Sequence, residues 1–194
     1  MPVKSKKKEV KKTFKSSLSQ LKGLKGYVAI AIVDAEKYEQ TNLKIIKELV
    51  NESTPGVYVT LNKPYNNIKK SFEKEKIDLN KVIFIDAVTN TVGGRLEKTK
   101  DCLFIGSPKN LSDISIAMDQ AIMAIPKKDK FLFFDSLSML LLYNDAGVVA
   151  KFIHFLSGKL RVWEVKGIII SLRKAKDKDL IQELKAFCDV VLNL

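Results

Sequence analysis

One histidine, two cysteines and one tryptophan in 194 residues leave little material for metal or nucleophile chemistry. Cys102 and Cys188 stand far apart and in no ligand spacing, so zinc-finger and zinc-ribbon patterns are excluded, as is a disulfide framework. They read as two small buried side chains in a reducing compartment. His154 falls on an apolar helical pattern over 147–160 and reads as a packing or rim residue. A zinc site or a Ser-His-Asp triad finds no partners for it. Long apolar runs are also missing. The longest, Phe131 to Tyr143, is interrupted by Asp135, Ser136 and Ser138 and is too short and polar to span a bilayer. The basic N-terminus has no apolar segment of the secretory kind. The expectation is a cytoplasmic protein with no transmembrane segment.

What is present is an ordinary globular balance, 46% hydrophobic and 29% charged, with a net charge of +12. That charge is uneven: residues 1–26 hold nine lysines against one acid, Glu9. Residues 1–20 combine this charge with few apolar side chains and are expected to form a basic flexible tail, followed by one domain over 21–194. The tail lysines Lys4, Lys6, Lys7, Lys8, Lys11, Lys12 and Lys15 are candidates for electrostatic attachment to nucleic acid or an anionic membrane surface; a solubilising tail is the alternative. No nucleic-acid recognition motif accompanies them, and Phe14 is the one aromatic among them.

From Gly26 onward, apolar runs alternate with amphipathic segments. Tyr27–Val33, Val57–Leu61, Val82–Asp86, Cys102–Ile105, Lys130–Asp135, Gly167–Leu172 and Val190–Leu194 read as strands. Thr41–Asn51, Pro64–Glu75, Leu111–Ile125, Ala146–Leu160 and Asp179–Phe187 read as helices. Ala87–Asp101, with Gly93-Gly94, is the longest stretch without a period. Uniformly apolar strands between helices predict an α/β fold: three αβα layers around a mostly parallel sheet, with the binding crevice at the strands' carboxyl ends.

Four stretches carry a family likeness in order and spacing: the strand–loop–helix at 27–50, PGVYVTLNKPYNNIKKSFEKEKIDLNKVIFIDA at 55–87, FLFFDSLSMLLL at 131–142, and VKGIIISLRKAKDKDLIQELKAFCDVVLNL at 165–194. Together they cover about half of the chain, and in them it resembles the RecA-like ATPases, P-loop NTPase-like in topology, and within these the KaiC-like proteins. The resemblance places a Walker A loop at Asp34-Ala35-Glu36-Lys37-Tyr38-Glu39-Gln40-Thr41. A phosphate cradle needs glycines, a lysine and a hydroxyl, G-x-x-x-x-G-K-[ST]. Asp34 and Glu39 stand at the glycine positions, Gln40 stands at the lysine position, and only Thr41 matches. Two carboxylates a few ångströms from a triphosphate repel it by on the order of several kcal/mol. Where the family has an acidic pair after the second strand, this chain has Asn62-Lys63, neither an effective general base. The Walker B carboxylate is matched by Asp135.

The resemblance therefore implies a non-catalytic domain, a pseudo-ATPase with a degenerate Walker A, no resident cofactor and no catalytic residues. Its role would be regulation or protein interaction through a protein partner or self-association. Two alternatives stay open. In an atypical ATP-binding ATPase, Thr41 and Asp135 contact Mg²⁺, and Lys37 with Lys63, Arg95 and Arg173-Lys174 supplies charge to phosphate. In a nucleic-acid-associated protein, the tail alone binds. A receiver- or flavodoxin-like fold is a further reading, with Asp34, Asp86 and Asp135 as strand-end acids around Mg²⁺.

Overall fold

The structure is a computed structural model and describes residues 19–21, 23–94, 99–173 and 178–194. The tail lysines at positions 4–15, Arg95 and Lys174 lie outside the described residues.

Among the described residues, seven strands form one sheet in the order β4-β3-β2-β5-β6-β1-β7, and every neighbouring pair is parallel. They are β1 (Tyr27–Val33), β2 (Gly56–Thr60), β3 (Val82–Asp86), β4 (Cys102–Phe104), β5 (Phe131–Asp135), β6 (Lys166–Leu172) and β7 (Val190–Asn193). The three central strands β2, β5 and β6 are buried almost throughout, which is why their sequences lack polar alternation. The helices are α1 (Tyr38–Asn51), α2 (Tyr65–Lys74), α3 (Leu111–Ala124), α4 (Leu137–Tyr143), α5 (Ala146–Val162) and α6 (Lys178–Leu184).

Each helix covers the sheet with the face its spacing dictates. α1 buries Ile45, Ile46, Leu49 and Val50; α2 buries Tyr65, Ile68 and Phe72 and leaves its lysines outside. Both lie on a face rich in aromatic rings. Tyr58 stacks on Phe133 at 5.1 Å and meets the edge of Phe72 at 5.4 Å. The opposite face is mainly aliphatic and is covered by α3, α4, α5 and α6. There α3 starts on Asn110, whose side chain accepts from the Asp113 amide at 3.3 Å, and α5 buries Val149, Phe152, Ile153, Leu156 and Leu160.

The chain order reverses between β2 and β5. From β2 the chain steps outward to β3 and β4; from β5 it steps the other way to β6 and β7. This is the topological switch point of the sheet, where a crevice opens at the strands' carboxyl ends. Register sets Thr60 of β2 opposite Asp135 of β5 there.

The expected three-layer αβα architecture is observed, with differences in detail. The first helix begins at Tyr38, not Thr41, and Ala35–Lys37 ahead of it is already a 3₁₀ turn. The apolar stretch after Asp135 turns into the short helix α4, since Leu137 and Leu140 meet the core from one helical side. The order also departs from a receiver- or flavodoxin-like sheet, because β1 lies beyond both β5 and β6 rather than beside β2.

Candidate active site at the switch point

Asp135 ends β5 with its side chain on the aromatic face, only 2% exposed. Tyr58, on the neighbouring strand and two residues before Thr60, donates its hydroxyl to Asp135 Oδ2 at 2.5 Å. Tyr38, the first residue of α1, donates its hydroxyl to Oδ1. Burial pushes the Asp135 carboxyl up to about 8. Hydroxyl donors favour the charged form, but neither carries charge, so desolvation dominates and the group is mostly protonated near neutral pH. Burial likewise raises the Tyr58 hydroxyl, which stays a donor.

A cavity of about 20 Å³ beside this carboxyl is lined by Tyr38, Asn42, Tyr58, Lys63, Phe72 and Asp135, among others. It has room for a single water. Asn42 Oδ1 is buried there without a hydrogen-bond partner among the described residues, as is Ser136 Oγ next to Asp135. Thr41 is buried in the same helical turn, 5% exposed, but does not line the cavity.

Asp34 is extended, and residues 35–41, which the resemblance sets at a phosphate loop, are helical. The ends of this segment are held by ion pairs. Arg173, just past β6, donates from Nε to Asp34 Oδ1 at 2.7 Å, and Lys37 donates to Asp34 Oδ2 at 3.2 Å. Lys63 donates to Glu39 Oε2 at 2.9 Å, and Ser71 donates to the other oxygen at 3.3 Å. Arg173 first, then Lys37, holds Asp34 below the usual carboxylate range; Lys63 does the same for Glu39. Of the cations that the ATP-binding alternative assigns to phosphate, Lys37, Lys63 and Arg173 are thus seated on the chain's own carboxylates. These pairs are half exposed, so they set local charge more than global stability.

The three strand-end acids do not converge. Asp86 is buried and accepts from the amides of Tyr65, Val88 and Thr89 and from the Thr89 hydroxyl, which ties the start of α2 to the loop after β3. Among the described residues no group of three His, Cys, Asp or Glu side chains is placed to hold a metal ion. Asn62 and Lys63 follow β2 as expected, with Lys63 occupied by Glu39. His154 is exposed, its ring 4.5 Å from that of Phe187, a rim residue. Both cysteines are free.

Among the site residues, Tyr38, Asn42 and Tyr58 were not legible as such. Tyr58 sits inside an apolar strand pattern, and only the β2–β5 pairing brings it to Asp135. A wider cleft of about 340 Å³ lies at the opposite, amino edge of the sheet between Gly23–Lys25 and Lys128, Asp129, Glu164 and Lys166. Two of its lysines are paired, Lys128 with Glu164 and Lys166 with Asp129.

Three comparisons bear on this geometry. A family described as a family of unknown function, DUF7504, matches residues 52–194. Among solved structures, a KaiC-like protein from the hyperthermophilic archaeon Pyrococcus horikoshii OT3 is similar over 87% of this chain and 72% of its own, with a TM-score of 0.59 and 17% identity. At that identity the likeness concerns the fold, which is RecA-like. No curated protein matches the chain.

Proposed function

Because the chain belongs to the DUF7504 family and has a RecA/KaiC-like fold, we propose that it is a non-catalytic member of that architecture, a protein-interaction or regulatory module on an ATPase scaffold. The observation that carries this reading is the Tyr38–Asp135 contact. The first turn of α1 places an aromatic side chain over the one acid retained at the metal position. Asn62-Lys63, in place of an acidic pair, leaves no base to activate water. Asp34 and Glu39 take up Arg173, Lys37 and Lys63 as internal counter-ions. Were Mg²⁺ and ATP to bind, Asp135 and Thr41 would be the residues to hold the metal. Asp135, however, is enclosed by two tyrosines and mostly uncharged, and Thr41 does not line the space beside it. The residues present do not fit the group.

Equilibrium binding of ATP with Mg²⁺, measured calorimetrically on the full chain, tests the reading, with phosphate release followed in parallel. The expected result is no saturable binding tighter than about 1 mM and no turnover. Micromolar affinity with hydrolysis would overturn it in favour of the atypical ATPase.

A further inference from the structure

The two outer layers of the fold differ in their solvent-facing surface. Among the described residues, every exposed large hydrophobic side chain borne on a helix lies on α3, α4 or α5; α1 and α2, on the other side of the sheet, carry none. On α3 these are Ile116 and Met123; on α5 they are Val148, Phe155 and Val162. On α3 and on α5 these exposed large apolar residues recur at intervals of seven, the spacing that keeps a seam facing a partner helix; α4 adds the adjacent Leu142 and Tyr143. Met123 is 73% exposed, Phe155 51% and Val162 82%, so the seam lies outside the core that Ile114, Met118, Ile153 and Leu156 fill.

Charge identifies what the seam fits. α3 carries acids, Asp113 and Asp119, and no base; α5 carries Lys151, Lys159 and Arg161 and no acid, with Arg161 turned to the chain's own Asp189 at 3.1 Å. Within the chain the two helices already use this complementarity. Lys159 of α5 reaches both carboxylate oxygens of Asp119 on α3, at 2.5 and 2.6 Å, and lies 4.8 Å from the Phe155 ring centre. That contact sets the helices side by side and leaves Asp113, which accepts from Asn110 Nδ2 at 2.6 Å, and Lys151 exposed with no ion pair between them. A two-fold axis over this face would set the acidic α3 of one copy on the basic α5 of the other, twice, with the apolar seams between.

We propose that the α3–α5 face is the self-association surface of this protein, and that its occupant is the same face of a second copy. The proposal rests on the interaction-module reading only for its purpose. It involves no residue of the switch-point crevice, so nucleotide binding and dimerisation are separate measurements, and the failure of one leaves the other standing.

Sedimentation velocity of the full chain over about 1 to 100 µM tests it. The expected result is a reversible shift from the 21.9 kDa monomer to twice that mass. Ile116→Glu and Phe155→Glu, both at exposed positions, should each weaken the dimer by about 30-fold or more while the thermal melt of the monomer is retained. Asp113→Lys and Lys151→Glu should each weaken it, and the two combined should restore it. A chain still monomeric at the highest concentration overturns the proposal, whether or not another protein binds this face. So does a dimer indifferent to Phe155→Glu, and a double charge swap no better than the single ones overturns the two-fold register.

Discussion

Tyr58 of β2 holds the carboxyl of Asp135 on the adjacent strand through a hydrogen bond of 2.5 Å, and its own ring stacks on Phe133 in a layer of aromatic rings. The acid that ends β5 is thereby built into the core.

This makes Asp135 a source of pH dependence. In the folded chain its carboxyl keeps a proton up to about pH 8, whereas in the unfolded chain it ionises near the ordinary 3.8. Between those values the unfolded state binds fewer protons, so stability falls as pH rises and levels off above about 8. The slope approaches about 1.4 kcal/mol per pH unit at most. Asp34 and Glu39, whose carboxyls are held low, act with the opposite sign and only in acid, as pH drops through their ordinary 3.8 and 4.5 and below. Urea unfolding from about pH 5 to about pH 8 should therefore show declining stability. Asp135→Asn, which keeps an oxygen for the tyrosines, should flatten that decline and raise stability at the alkaline end.

Removing the Tyr58 hydroxyl separates packing from hydrogen bonding. Tyr58→Phe keeps the stack on Phe133 but leaves the buried Asp135 oxygen short of a donor, a loss of about 1–3 kcal/mol. With one donor fewer for the charged form, the carboxyl should titrate higher still, moving the pH profile upward. Equilibrium unfolding at several pH values reads both effects.

The acids in the first turn can be tested as internal counter-ions. Asp34→Asn with Glu39→Gln frees Arg173, Lys37 and Lys63 at once. The expected outcome is a gain of weak, salt-sensitive pyrophosphate binding by calorimetry, on the order of millimolar, without hydrolysis of ATP. The folded state should persist, since exposed pairs contribute little to it.

Two strand glycines should differ in tolerance. A Cβ on Gly56 would meet the Phe131 ring at 2.4 Å, and that ring is fully buried in the core of this face. A Cβ on Gly167 would meet Leu160 Cδ1 at 2.5 Å, the movable end of a side chain. Gly56→Ala is expected to cost about 1–3 kcal/mol or more, and Gly167→Ala less, in thermal or urea unfolding.

Much of the fold was legible because burial on both faces of a parallel strand writes continuous apolar runs, and YVAIAIV, VIFID and FLFFD are such runs. The helical faces were legible for the same reason. Ile45, Ile46 and Leu49, or Ile114, Met118 and Ala121, face the sheet at the spacing a helix imposes. The start of α1 was misplaced by three residues, because a glycine-free, charged segment reads as a loop only if it is assumed to bind phosphate. Left to its own propensities, AEKYEQT winds into helix.

The sequence by itself determined the layer architecture and which side chains stand in the loops at the strands' carboxyl ends. It placed Asp34, Glu39 and Gln40 in and after the turn that follows β1, and Asn62-Lys63 after β2. Such facts depend only on residue identity and on local periodicity. Only the tertiary structure decided what those residues do. It brought Tyr38 and Tyr58 onto Asp135, Arg173 onto Asp34 and Lys63 onto Glu39, contacts that span up to 139 positions of chain. Strand order and register govern such meetings, and both follow from the packing of all the apolar faces together, which no local stretch of the sequence records.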